Sequence, residues 1–335
     1  MSQPIPTGTR DILPAEMREL RAIESALADL FAERGYGEVA TPAIEHHAVL
    51  EIGAGPYAGD GYRFFDEAGS VLALRSDMTV PIARLVANRF QDEAGPFRLR
   101  YEGSVYRSVR PQRGQMRELR QVGIELIGVG GPEGTVEVIE LLVGALDAIG
   151  LDRAVVGLGD ADLFRHLLDE YEVDGAARDR ILACLEAHDL VAIEAEAGDL
   201  AAIDRDKRMA IVELSSLRGG SEVLAKAREI GGVAVERASR RLAETYEGLE
   251  GAGIAGRVQL DLGLLRDMGY YTGAMFEVYD PALGHIIGGG GRYDDLLARF
   301  GRDLPAAGFA LYLERLHIAQ AEGDRLSRDG AQVRS

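Results

Sequence analysis

Five arginines fall within YRSVRPQRGQMRELRQVGIE, residues 106–125, at Arg107, Arg110, Arg113, Arg117 and Arg120, in a chain whose formal net charge is -18. Guanidinium groups gathered in this way grip an anion, and their planar fork suits carboxylate or phosphate. The segment RQVGIELIG that ends the stretch alternates with the period of a strand, placing Val122, Ile124 and Leu126 on one face and Gln121, Gly123 and Glu125 on the other. The first face reads as core. The second is either a polar edge facing solvent or a working surface with an amide, a carboxylate and open floor above a glycine. In YYTGAMFEVYD, Ala274, Phe276 and Val278 lie opposite Met275, Glu277 and Tyr279, and the paired Tyr270 and Tyr271 lead in. Gly288 to Gly291 lack Cβ atoms, so they form either a flexible turn or a surface that backbone and ligand approach closely. Together these pieces describe a pocket floored by antiparallel strands, with carboxylates for an amine, tyrosines and an amide for orientation, and arginines for an anion. A zwitterionic amino acid, with or without a nucleotide beside it, fits that inventory.

The elements that must position these residues are legible in outline. Leu20, Ile23, Leu27, Leu30 and Phe31 share one stripe of a helix over 16–35 that Gly35 closes. YGEVATPAIEHHAVLEIG predicts a strand that breaks at Pro42 into a second element. VLALR predicts a short strand, and DMTVPIARLVANRF a helix capped by Ser76 or Asp77 with Pro81 in its first turn. FRLRYEGSVYRSV and ELRQVGIELIGV flank RPQRGQ as an antiparallel pair. A helix at TVEVIELLVGALDAIGL and a strand at AVVGLGD follow. From about 160 to 250 the periodicity is helical, and strand character returns with RVQLDLGLL and YYTGAMFEVYD. After the glycines, RYDDLLARF predicts a helix, AAGFALYLERLHIAQ a last unit, and GDRLSRDGAQVRS a frayed polar tail. The fold class is α+β: a core over 1–160 and 254–322, a helical insertion over 161–253, and a tail over 323–335.

Charge and composition narrow the functions. With 55 Asp and Glu against 37 Lys and Arg, sequence-independent nucleic-acid binding is disfavoured. No apolar run approaches membrane-spanning length and the N-terminus has no export signal, so a cytoplasmic protein without membrane contact is expected. Cys184 is the only cysteine, which excludes an internal disulfide, and its place beside Ile181, Leu182 and Leu185 reads as core. His46 and His47 cannot share a strand face, and none of the six histidines has ligand spacing, so no metal is expected. GAGPYA at 53–58 matches a dinucleotide pattern, but no apolar helix follows it and it reads as a loop. No cofactor is expected.

In order along the chain, PTGTRDILP, LALRSDMT, YRSVRPQRGQMRELRQVGIE, LLRDMGYYTGAMFEVY, GGGGRYDDLL and AAGFALYLER resemble the catalytic core of class II aminoacyl-tRNA synthetases, and histidyl-tRNA synthetase in particular. The resemblance covers nearly the whole chain apart from the helical stretch. It implies an antiparallel sheet flanked by helices. It further implies that Asp77, Thr79, Gln121 and Glu125 surround the ammonium of a bound histidine, that Tyr270 and Tyr271 hold its imidazole, and that Arg107 and Arg266 face a carboxylate or phosphate. Arg107, Arg113 and Arg315 would then be a vestigial anion or ATP site.

Departures from the synthetase pattern point away from catalysis. Val109 stands where an active synthetase has a glutamate, Gln115 replaces the second arginine of the loop, and Tyr312 stands where a glycine admits adenosine. The chain ends shortly after the last motif, without the anticodon-binding domain, so no tRNA partner is expected. A paralogous family of this description is similar: the regulatory subunits of ATP phosphoribosyltransferase, which act in histidine biosynthesis. That similarity implies a non-catalytic chain that pairs as a dimer, assembles with a short-form catalytic subunit into a hetero-octamer, and takes L-histidine as ligand. The alternatives are a truncated stand-alone enzyme that makes histidyl-adenylate, and an architectural subunit with a vestigial pocket.

Overall fold

The computed structural model describes residues 4–54, 61–108, 116–266 and 268–333. Helix α1 (Pro14–Glu33) buries Leu20, Ile23, Leu27 and Phe31, leaves Leu30 half-buried, and ends before Gly35, whose φ of +83° is the left-handed backbone that stops a helix. Next come β1 (Gly37–Glu38), β2 (Ile44–His46), α2 (His47–Ala54), β3 (Arg63–Phe65), β4 (Val71–Leu74) and α3 (Thr79–Arg89). The pair β5 (Phe97–Tyr106) and β6 (Glu118–Ile127) is followed by α4 (Glu133–Ala148) and β7 (Val155–Asp160). The helical stretch holds α5 (Leu163–Glu170), α6 (Gly175–Glu186), α7 (Leu190–Gly198), α8 (Arg205–Ser216), the short β8 (Arg218–Gly219), α9 (Glu222–Ile230) and α10 (Val233–Gly251). The chain finishes with β9 (Val258–Asp261), β10 (Ala274–Tyr279), β11 (Ile286–Arg292), β12 (Ala306–Tyr312) and α11 (Leu313–Val333).

Among the described residues the main sheet has nine strands in the order β1-β5-β6-β12-β11-β10-β7-β9-β8, and β2-β4-β3 form a second, small sheet. Pairing is antiparallel from β5 through to β7, while β1 joins β5 and β9 joins β7 in parallel. The expected antiparallel sheet is therefore the centre of a mixed one. Val122, Ile124 and Leu126 face a core shared with α1, α4, α5 and α10. The opposite face packs Tyr101, Val105, Tyr270, Tyr293 and Tyr312 against Met78, Val80, Ile82 and Val86 at and within α3. The site lies on this second side.

Two expectations need correction, and two open alternatives are decided. Glycines 288 to 291 are not a turn; they lie inside β11, paired with β10 and β12 on its two sides. RYDDLLARF is not a helix beyond the 3-10 turn Leu297–Phe300. The Asp294 carboxylate there accepts bonds from Arg292 Nη2 at 2.6 Å and from the Ala306 N–H at 3.0 Å, and the Asp294 N–H donates to Thr272 Oγ1 at 2.9 Å, so local side-chain bonding outcompetes a helical ladder. The tail expected to fray continues α11 as far as Val333. The polar face of β6 is no solvent edge, because Gln121 is 3% and Glu125 1% exposed. Cys184 sits half-buried against the main core.

Candidate ligand site

Three segments converge above the sheet. β6 supplies Gln121 and Glu125, the start of α3 supplies Asp77 and Thr79, and the loop between β9 and β10 supplies Arg266, Tyr270 and Tyr271. Asp77, Thr79, Arg107, Gln121, Arg266, Tyr270 and Tyr271 line one cavity with Tyr101 and Tyr312; Glu125 lies directly behind Thr79, and Arg315 stands beyond Tyr312. Of the expected residues, Arg113 falls outside the described part of the chain, as do Val109, Gln115 and most of GAGPYA.

The carboxylate end is built in layers. Asp77 Oδ1 accepts the Val80 N–H at 2.9 Å, so this side chain caps α3 as its position in the sequence predicts, while burial pushes its pKa up. Thr79 Oγ1 donates to Glu125 Oε1 at 2.8 Å and the Tyr293 hydroxyl donates to Glu125 Oε2. These bonds offset only part of the cost of burial, which raises the Glu125 pKa to about 8. Gln121 Oε1 is buried with no hydrogen-bond partner among the described residues. An unsatisfied acceptor in a cavity that the buried Asp77 also lines favours a ligand that brings donors and positive charge. Tyr270 stacks obliquely on Tyr271 with centroids 5.1 Å apart and meets Tyr293 edge-on at 5.9 Å, forming an aromatic wall.

A cationic group adjoins the carboxylate end, with Arg107 Nε 3.5 Å from Ser76 O. Arg107 Nη2 donates to the Tyr312 hydroxyl at 3.1 Å, and the Arg107 and Arg315 guanidinium carbons lie 5.6 Å and 4.6 Å from the Tyr312 ring centre. Arg266 Nε stands 3.3 Å from Glu277 Oε1. Burial alone would raise the Tyr312 pKa, yet Arg107, Arg266 and Arg315 outweigh it and bring the phenol down to about 7. Tyr312 thus offers from within the chain a phenol that three arginines favour in its ionised form. The free space between all these groups is only about 30 Å³, room for one or two waters, so an amino-acid ligand must displace side chains as it enters.

Glycines make the approach close enough. A Cβ on Gly308 would overlap Glu125 Oε2, and one on Gly289 would overlap Arg266 Nη1. We expect Gly308→Ala to lower stability by roughly 1–3 kcal/mol, the scale of overpacking a filled interior; a denaturant midpoint equal to that of the parent would show that both Glu125 and the Ile124 carbonyl, which the new Cβ also meets, have room to move. Sequence reasoning missed Tyr293, whose signal was its place directly after the glycine strand, and Tyr101, whose signal was its register opposite Gly123.

The fold and this arrangement can now be set beside known proteins. The family model for histidyl-tRNA synthetase matches residues 8–316. An ATP phosphoribosyltransferase regulatory subunit of Moorella thermoacetica is 42% identical over 321 residues, covering 95% of this chain and 82% of that one. The chain belongs to the ATP phosphoribosyltransferase regulatory subunits of the histidyl-tRNA synthetase family. A solved ATP phosphoribosyltransferase regulatory subunit/histidyl-tRNA synthetase from Bacillus halodurans superposes on this family member with a TM-score of 0.86 at 33% identity, over 95% of this chain and 83% of that one. A histidine–tRNA ligase subunit from Alicyclobacillus acidocaldarius gives 0.86 at 30% identity, over 97% and 99%. The α+β class is that of the family. Among the described residues no helix is long and apolar enough to cross a membrane.

Proposed function

We propose that this chain is the regulatory subunit of an ATP phosphoribosyltransferase and binds L-histidine in the cavity between α3 and β6. The observation that carries the ligand is the buried Gln121 Oε1, which has no hydrogen-bond partner among the described residues and lines one cavity with Asp77, Arg107 and Arg266. In this reading the histidine ammonium meets Gln121, Glu125 and Asp77, its carboxylate meets Arg107 or Arg266, and Tyr270 and Tyr271 wall the imidazole, while Thr79 holds Glu125 in place. Tyr312 fills the space beside the arginines, which favours an amino acid over a nucleotide, and Arg315 serves to hold Tyr312. Assembly with a short-form catalytic subunit as a hetero-octamer built on dimers, without tRNA and in the cytoplasm, completes the proposal.

Mixing the chain with the short-form catalytic subunit of the same genome tests it directly. A stable complex whose phosphoribosyl transfer rises on mixing and falls with L-histidine is expected; no complex and no change of rate would sink the proposal. The rival reading, a stand-alone histidine-activating enzyme, rests on the retained Arg107, Arg266 and Arg315, which could stabilise phosphate charge. It requires histidine-dependent exchange of pyrophosphate into ATP, which we expect to be absent.

A proton should leave as the ligand binds. An ammonium beside Glu125 favours the ionised carboxyl, and the ionised fraction of the empty site grows as pH rises toward about 8, so affinity should rise with pH up to that point and binding at pH ~7 should release protons. Calorimetry in buffers of different ionisation heat measures this, with Glu125→Gln as reference for the ligand's own titration. Equal buffer dependence in the two proteins would show that Glu125 does not titrate with binding.

A further inference from the structure

Arg266 reaches the cavity from a loop, and the group that fixes it is Glu277 of β10, 3% exposed and 3.3 Å from Arg266 Nε. Glu277 has two further partners. The Tyr279 hydroxyl donates to its Oε2 at 2.6 Å, and His188 Nε2 stands 3.5 Å from the same oxygen. His188 belongs to the turn between α6 and α7, in the helical insertion and 89 residues away along the chain from Glu277.

The backbone at His188 is a second, independent observation. α6 ends in a closed turn in which the His188 N–H donates to Leu185 O and the Asp189 N–H to Cys184 O, both at 3.0 Å. That turn requires the left-handed conformation, and His188 adopts it with φ of +53°. Glycine takes this conformation at least cost and is the usual residue there. A β-carbon-bearing residue accepts the strain for what its side chain reaches, and this one reaches a buried carboxylate of the ligand pocket's supporting strand.

We propose that His188 is a positioning residue of the ligand site, through which the helical insertion sets how tightly Glu277 holds Arg266. When the imidazole is protonated, Glu277 divides its charge between His188 and Arg266, and Arg266 is released toward a ligand carboxylate. When it is neutral, Glu277 draws Arg266 back. The charged and titratable groups facing His188 are Glu277 and Tyr279 of β10, Asp261 of β9 and Arg218 of β8, which bonds Asp261 at 2.7 Å. Their sum favours the imidazolium: the bond to Glu277 leads, burial opposes it, and the His188 pKa is raised.

The inference rests on histidine occupying the cavity, so calorimetry with L-histidine begins on the unaltered chain. His188→Asn, which tolerates left-handed backbone, is then compared with His188→Arg, which stays charged. We expect the His188→Asn dissociation constant to exceed that of the parent by roughly threefold to tenfold at pH ~6 and the ratio to approach one at pH ~9, where the parent imidazole is neutral too. His188→Arg should keep the low-pH affinity of the parent across the range. A ratio of one at both pH values, or a loss in His188→Asn that does not vary with pH, would overturn the positioning role while leaving histidine binding intact. No heat of binding with the unaltered chain would overturn the site reading and this inference together.

Discussion

Replacing Glu125 by alanine should weaken L-histidine binding by roughly 1.5–3 kcal/mol, the scale of a charge-assisted hydrogen bond lost from a buried site. Glu125 is 1% exposed and already engaged by Thr79 and Tyr293, so its position is fixed before any ligand arrives. The substitution also leaves the hydroxyls of Thr79 and Tyr293 facing a void. Glu125→Gln separates the two effects: it fills the space and keeps an acceptor for one hydroxyl while removing the charge. If the alanine variant binds histidine as the parent does, the ammonium is held elsewhere, and Asp77 becomes the leading candidate.

The second large effect is expected at Tyr312. Tyr312→Phe leaves the ring in place but strips the oxygen that Arg107 Nη2 bonds, so buried guanidinium charge loses its nearest counter-group. Losing a hydrogen bond to a charged group costs about 1.5–3 kcal/mol, and denaturant unfolding near neutral pH should read a loss on that scale. The pH dependence carries a distinct sign. The folded pKa of Tyr312, about 7, lies below the usual phenol value of 10.0, so the unfolded chain binds more protons in between. The contribution is therefore complete above the unfolded pKa and is lost as pH falls through about 7. Stability of the parent relative to Tyr312→Phe should rise from pH ~7 toward ~10, and a difference that stays flat would show that the phenol remains protonated. Added pyrophosphate should stabilise Tyr312→Phe more than the parent, since an external anion can then take the vacated place.

Strand alternation made Gln121 and Glu125 legible as companions on one face, and the helix signal of DMTVPIARLVANRF made Asp77 legible as its cap. The anion chemistry was legible as to type and not as to address. Of the three described arginines of residues 106–125, Arg107 lines the cavity, whereas Arg117 and Arg120 do not; Arg120 instead pairs with Glu24 at 2.8 Å and with Glu102, bracing β5, β6 and α1. Arg266 and Arg315 join Arg107 through pairing of strands distant in sequence, which no local pattern records. The glycine run was legible as a place of close approach but not as a strand, for a physical reason. Its residues lack the side chains by which a strand is read: Arg266 lies across Gly289 and Tyr271 across Gly291, while the backbone of β12 crowds Gly288 and Gly290. Tyr312 was readable as an obstruction, but its second identity as the counter-ion of three arginines emerges only once they surround it.

The apolar interior of the helical insertion is continuous with that of the sheet: Leu163, Phe164, Leu167 and Leu242 belong to the same buried cluster as Val156, Leu158 and Leu142. A close-packed interior transmits displacement and resists being parted. The insertion is thus a poor flap and a good lever. A rigid-body swing away from β7 would tear that shared interior open, whereas sliding by a fraction of a side chain leaves it sealed. Whatever passes between the pocket and the far end of α6 to α8 should therefore travel as small shear, with little change in overall shape and a large change in which surface groups are in register for a neighbour.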